Sequence, residues 1–112
     1  MEITIRDRQG VRVLDLVGKL TLGGGAKVLH TAVRTELDGA HKWILLNLEQ
    51  ASFLDSTGLG VLVSCHTSAS TRQGILKLLR PSPKVEDVLK ITETYKLFEI
   101  FWDEDPAVAS FQ

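Results

Sequence analysis

The hydrophobic and polar positions at the start of the chain alternate with the period of two that is typical of a half-buried strand. This alternation covers residues 2–8 and places Ile3 and Ile5 on one face. Gln9–Gly10 is a two-residue turn signal, and residues 11–18 then regain a mainly apolar pattern. The opening stretch therefore predicts a β-hairpin.

The rest of the chain divides into stretches with helical spacing of apolar residues and short apolar runs between them. The predicted helices lie between Ala26 and a break at Gly39, over 59–74, over 84–91, and from Asp105–Pro106 to near Phe111. The predicted strands are 43–48, 75–79 and 96–102. Because "WILLNL" at 43–48 is almost entirely apolar, we expect it to be the central strand, buried on both faces.

The order of these elements predicts the fold class. Strand–helix–strand repeats make neighbouring strands parallel, with right-handed crossovers, and the opening hairpin adds one antiparallel pair. The chain is therefore expected to be one α/β domain spanning residues 1–112. Its sheet should be mixed, mostly parallel and of about five strands, with about four helices.

Composition and charge exclude several classes of protein. The chain of 112 residues has 13 Lys and Arg against 14 Asp and Glu, with neither sign clustered, so we expect no nucleic-acid or membrane partner. The single cysteine, Cys65, cannot form an intramolecular disulfide, and we expect it to be a small buried hydrophobe. With no secretory signal and no apolar run of about 20 residues, the chain is expected to be soluble and cytoplasmic.

The most unusual stretch for chemistry is "FLDSTGLG", residues 53–60. It lies between the central strand and the longest predicted helix, so Asp55, Ser56 and Thr57 should occupy the first helical turn. A helix cap needs only one such residue, and the two glycines that follow each cost about 1 kcal/mol relative to alanine in a helix. This pattern leaves open a cap, a nucleophile, a phosphate cradle or a modification site, and the glycines suggest close approach by another molecule.

The enzymatic alternatives have little support. Leu54, rather than glycine, lies two residues before Ser56, and no acid–histidine pairing stands out for a nucleophilic serine. The glycines at 23–25 precede a helix but lack the Lys-Ser/Thr pair of a phosphate-binding loop. The acids at 86–87 and 103–105 are expected to be solvated or to complement helix N-termini. We therefore predict no catalytic residue, no cofactor and no metal.

The same stretch, with its flanks "WILLNLEQAS" and "FLDSTGLGVLV", closely resembles the anti-sigma factor antagonist family, whose fold is called the STAS domain. The likeness extends over "GKLTLGGGA", "GILKLLRPSPKVEDVLKIT" and "YKLFEIFWDEDPAVASF". The resemblance implies that Ser56 is phosphorylated by the partner, an anti-sigma factor that is also a serine kinase. It also implies that Asp55, Thr57, Gly58 and Leu59 complete the recognition surface.

Other residues extend this expected partner surface. Leu54 and Leu59 could supply apolar contact, and Thr57 is the alternative phosphate acceptor. Many family members carry acidic or polar residues after the second strand, whereas this chain has Lys19 and Thr21 there, so the partner face gains a cation.

The resemblance implies a protein-binding switch rather than an enzyme. The unphosphorylated chain would sequester its anti-sigma factor kinase, phosphorylation of Ser56 would release it, and a serine phosphatase is a further candidate partner. A phosphate adds roughly −1.5 to −2 charges, which a helix N-terminus tolerates. The alternative is a phosphorylation-independent STAS scaffold or interaction domain in a signalling or transport complex.

Overall fold

Five strands and four α-helices alternate along the chain in the order that the sequence predicts. The structure, a computed structural model, describes all residues from Met1 to Gln112. The strands are β1 (Glu2–Arg8), β2 (Val11–Leu20), β3 (Trp43–Leu54), β4 (Ile75–Leu79) and β5 (Ile100–Phe101). The helices are α1 (Ala26–Asp38), α2 (Ser56–Thr71), α3 (Pro83–Ile91) and α4 (Glu104–Ala109), and a 3₁₀ turn spans Thr94–Leu97.

The strands form one mixed sheet in the order β1-β2-β3-β4-β5. β1 and β2 are antiparallel, and the other neighbouring pairs are parallel. The predicted α/β class, the mixed sheet and the central position of β3 are confirmed.

β2 and β3 are both longer than predicted. β3 continues to Leu54 rather than ending at residue 48, and β2 runs through Lys19 and Leu20. The added residues pair with one another, as Leu20 does with Leu54. The pairing of the two strands therefore carries β3 through "EQAS", residues 49–52, which lie beyond the apolar run on which the prediction rested.

β5 is much shorter than predicted. Only Ile100 and Phe101 pair with β4, whereas the apolar pattern had predicted a strand over 96–102. The preceding apolar residues have another role, because Phe98 is buried in the core from the segment that follows the 3₁₀ turn. An apolar run cannot distinguish packing of this kind from a strand.

Two hydrophobic cores lie on opposite faces of the sheet. The larger one is covered by α1, α2 and α3, and the smaller one by α4. In β3, Leu46 belongs to the first core and Leu45 to the second, so the central strand is buried on both faces as expected. In β1, by contrast, Ile5 remains 42% exposed because its strand forms the edge of the sheet.

Two further expectations from the sequence concern the burial of Cys65 and the presence of membrane-spanning helices. Cys65 is fully buried, and this burial raises the pKa of its thiol to about 12. None of the helices is long and apolar enough to cross a membrane.

Candidate functional site

Asp55 caps the N-terminus of α2 and also holds the loop that follows β2. Its Oδ1 accepts a hydrogen bond from the Gly58 N–H at 2.8 Å, and its Oδ2 accepts one from the Leu22 N–H at 3.0 Å. These backbone donors, Gly58 first and Leu22 second, lower the pKa of the Asp55 carboxyl group. One ionised carboxylate thus ties two segments that are 33 residues apart.

Ser56 and Thr57 are free of the capping role because Asp55 performs it. Ser56 is the first residue of α2 and is exposed, and its hydroxyl makes no hydrogen bond within the protein. Thr57 is half-buried. Ser56 is therefore the more exposed of the two hydroxyl-bearing residues in the motif, and another molecule can reach its hydroxyl without breaking an internal hydrogen bond.

Gly58 serves an internal contact rather than an external one. It is buried, and a Cβ at this position would collide with the carbonyl oxygen of Leu20 and lie 2.9 Å from Leu54 Cδ1. The sequence had suggested that another molecule approaches both glycines of the motif. At Gly58 the end of β2 occupies that space, whereas a Cβ added at Gly60 would have no other atom within 4 Å.

The two leucines expected to contact a partner are turned inward. Leu54 is 8% exposed, and Leu59 is half-buried against the larger core. The exposed apolar side chains near Ser56 are instead Leu22, at 76%, and Phe53, at 45%. The sequence analysis identified neither residue. The position of Leu22, a single leucine followed by three glycines, was nevertheless a signal that its side chain has no partner in the core.

Two cations lie over the ring of Phe53. The Nζ of Lys19 is 5.5 Å from its ring centroid, and the Nζ of Lys84, near the start of α3, is 5.1 Å from it. Lys19, Thr21, Phe53, Leu54 and Asp55 line one shallow depression beside the N-terminus of α2. The structure therefore brings the two predicted residues of β2 and its loop next to the motif, and adds Lys84.

The surroundings of Ser56 lack the partners that a nucleophilic serine needs. Both oxygens of Asp55 are engaged by backbone N–H groups. His66 packs edge-on against Phe98, and His41 Nε2 contacts Arg12 at 2.7 Å. No histidine, cysteine or acidic side chains gather into a set that could hold a metal ion. The arrangement presents a hydroxyl without a base to activate it.

The mixed sheet and the capped junction between β3 and α2 define an α/β domain of the STAS type. The STAS domain profile matches residues 2–107. The chain belongs to the STAS domain family, as its motif and fold predict.

Comparison with individual proteins agrees with this assignment. The chain is 25% identical to the anti-sigma F factor antagonist of Paenibacillus polymyxa over 119 aligned residues, which cover 100% of this chain and 96% of that protein. An anti-sigma factor antagonist from Mycobacterium paratuberculosis has the same fold, with a TM-score of 0.86 at 20% identity over 98% of this chain and 92% of that one. The phosphorylated form of the Bacillus cell fate determinant SpoIIAA matches with a TM-score of 0.75 at 22% identity, over 99% and 100%.

Proposed function

We propose that this protein is an anti-sigma factor antagonist whose affinity for its partner is controlled by phosphorylation of Ser56. The observation that carries the proposal is the exposed Ser56 hydroxyl, free of internal hydrogen bonds, at the N-terminus of a helix that Asp55 caps. The full-length similarity to an anti-sigma F factor antagonist supports the same role.

The partner in this proposal is an anti-sigma factor that is also a serine kinase. The unphosphorylated chain sequesters it in the cytoplasm, the kinase phosphorylates Ser56, and the modified chain releases it. A serine phosphatase would reset the cycle. This protein acts as substrate rather than catalyst, since Ser56 has no base within hydrogen-bonding distance.

The local electrostatics support a modification that changes the surface and spares the fold. A phosphate on Ser56 adds roughly −1.5 to −2 charges at a helix N-terminus, where the helix dipole favours anions. The Gly58 N–H is already bound by Asp55, so the phosphate need not replace the cap. The new charge instead lies on the surface beside the ionised Asp55, where a partner shaped for a neutral hydroxyl would be repelled.

The proposed docking surface combines the residues implied by the motif with their exposed neighbours. Its polar part is Lys19, Thr21, Asp55, Ser56 and Thr57, with Lys84 at its border. Leu22 and Phe53 supply the apolar contact. Leu54, Gly58 and Leu59 contribute mainly through packing beneath this surface, which fixes the junction between β3 and α2.

The test compares the unmodified protein, Ser56→Ala and Ser56→Asp by calorimetric titration against the partner kinase. We expect Ser56→Ala to bind with unchanged affinity and to resist phosphorylation, and its free energy of unfolding should hardly change because Asp55 caps α2. Ser56→Asp should fold normally and bind at least about tenfold more weakly, a loss of about 1.4 kcal/mol. Tandem mass spectrometry would locate the phosphate, with Thr57→Val as the control for the alternative acceptor.

A scaffold function that does not depend on phosphorylation is the second candidate. The exposed Leu22 and Phe53 favour it, because an apolar contact of this kind could hold a partner whatever the state of Ser56. Equal affinity of the three proteins would contradict the switch and support the scaffold.

A further inference from the structure

The edge of β1 that faces away from β2 is open along the whole strand. β1 has seven residues and pairs only with β2. Apart from the bonds to β2, no backbone N–H or C=O group of residues 2–8 makes a hydrogen bond to another backbone group of the chain. An uncovered edge of this length is a template for another strand.

The hairpin geometry determines which backbone groups of β1 point outward. Gln9 and Gly10 have φ of 55° and 85°, as in a two-residue type I′ turn, and Arg8 pairs with Val11 across it. The pair that closes such a turn is hydrogen-bonded, and bonded and non-bonded pairs then alternate along the strands. Residues 2, 4, 6 and 8 therefore bond to β2. The N–H and C=O groups of Ile3, Ile5 and Asp7 face away from the sheet.

We propose that β1 pairs with β1 of a second copy of this chain, antiparallel and about a two-fold axis at Ile5. In this register Ile5 faces Ile5 of the second copy, Ile3 faces its Asp7, and Glu2 faces its Arg8. The outward backbone groups of Ile3, Ile5 and Asp7 then bond to the same groups of the second copy. The five-stranded sheets of the two copies become one continuous sheet.

Charge complementarity supports this register. Glu2 is exposed and makes no ion pair within the chain. Arg8 bonds Glu104 at 2.7 Å and Asp105 at 3.0 Å, both through NH1, so its Nε and NH2 are available to Glu2 of the second copy. Directly opposed residues of opposite charge stabilise a strand pair.

Neighbouring registers fit less well. A shift of two residues in one direction would place Arg6 opposite Arg6 of the second copy, with like charges in contact. The opposite shift would place Glu2 opposite Arg6, whose three guanidinium nitrogens are already bonded to Asp15 and Glu104. The proposed register also covers Ile5, which is 42% exposed in the single chain.

The dimer does not depend on the switch at Ser56. Antiparallel pairing directs the C-terminal ends of β3 in the two copies, and therefore the two Ser56 surfaces, in opposite directions. Both surfaces remain accessible, so loss of pairing should leave binding of the partner kinase unchanged. Because edge pairing alone buries little surface, we expect a weak, concentration-dependent dimer.

Cross-linking tests the register directly. Two residues in a hydrogen-bonded antiparallel pair have Cα atoms about 5.5 Å apart, which is within the range for a disulfide. Ile5→Cys should therefore form a covalent dimer under mild oxidation. Thr4→Cys is the matched control, because its two copies would be about 8 Å apart, beyond disulfide reach. The native Cys65 is buried and does not interfere.

Sedimentation equilibrium tests the interaction without a cross-link. Ile5→Pro removes an outward N–H while sparing the bonds to β2, and Glu2→Lys places like charges opposite Arg8. We expect each to raise the dimer dissociation constant at least about tenfold, with Glu2→Gln between Glu2→Lys and the natural protein. Circular dichroism would confirm that the variants fold. If Ile5→Pro does not fold, the comparison of Glu2→Lys with the natural protein decides the test. A natural protein that stays monomeric at about 1 mM, or equal cross-linking of the two cysteine variants, would overturn the proposal.

Discussion

Asp55 shows how much of the junction depends on a single side chain. Its two carboxylate oxygens hold the first turn of α2 and the loop at Leu22 together. The sequence left a helix cap open as one of four possibilities and could not select among three residues that all cap well. The selection depends on Leu22, which is distant in the sequence and offers the second donor only to Asp55.

The two glycines of the motif should respond in opposite ways to substitution. Gly58→Ala should destabilise the fold by about 1–3 kcal/mol, because its Cβ would collide with the Leu20 carbonyl group. Gly60→Ala should be neutral or stabilising by up to about 1 kcal/mol, because the space around it is open and alanine favours helix. Urea denaturation followed by circular dichroism would measure both, and equal effects would contradict this difference in packing.

At the scale of elements, the attachment of α4 could not be predicted from the sequence. The acids at 103–105 were expected to be solvated or to complement helix N-termini, and Glu104 and Asp105 do lie in the first turn of α4. Glu104 also accepts hydrogen bonds from Arg6 and from Arg8, each at 2.7 Å. Arg6 also forms a two-bond pair with Asp15. Arg6 and Arg8 are nearly a whole chain length from Glu104, so no local pattern indicates these two contacts.

This network makes the stability of the fold depend on acidic pH. Hydrogen bonds from Arg6 lower the pKa of Glu104 from 4.5 to about 2, and Arg6 also lowers the pKa of Asp15. Because the folded-state pKa is below the unfolded value, the stabilisation is complete above about pH 4.5 and is lost as the pH falls towards 2.

Urea unfolding of the natural protein and Glu104→Gln across this range would measure the effect. The variant should be less stable at neutral pH, and the difference should shrink as the pH falls. Asp87→Asn, which removes an exposed acid without an ion pair, is the control and should not alter the profile. A difference that stays constant down to about pH 2 would refute the role of Glu104.

At the scale of the whole molecule, the period of the hydrophobic pattern and the order of elements were sufficient to predict the fold. They predicted the class, the central strand and the two-sided burial of Leu45 and Leu46. They did not predict where β3 and β5 end. A strand's length depends on the partner that it finds, and that partner is specified elsewhere in the chain.

The central position of β3 predicts a severe effect of charge at Leu46. Leu46→Asp should prevent folding at neutral pH, because it buries a carboxylate without a partner in the larger core. Gln50→Asp, in the exposed part of the same strand, is the matched control and should fold. Circular dichroism and thermal melting would distinguish the two, and a cooperative transition for Leu46→Asp would contradict the topology.

The division of roles at the junction has an evolutionary consequence. Asp55 and Gly58 make the contacts that hold the junction together. The side chains of Ser56, Leu22 and Phe53 are instead exposed on the surface and pack little against the core. Mutations at these three exposed positions can therefore accumulate with little loss of folding stability. After gene duplication, two copies of such a domain could acquire different partners while sharing one scaffold, and insulated signalling routes could arise from very few substitutions.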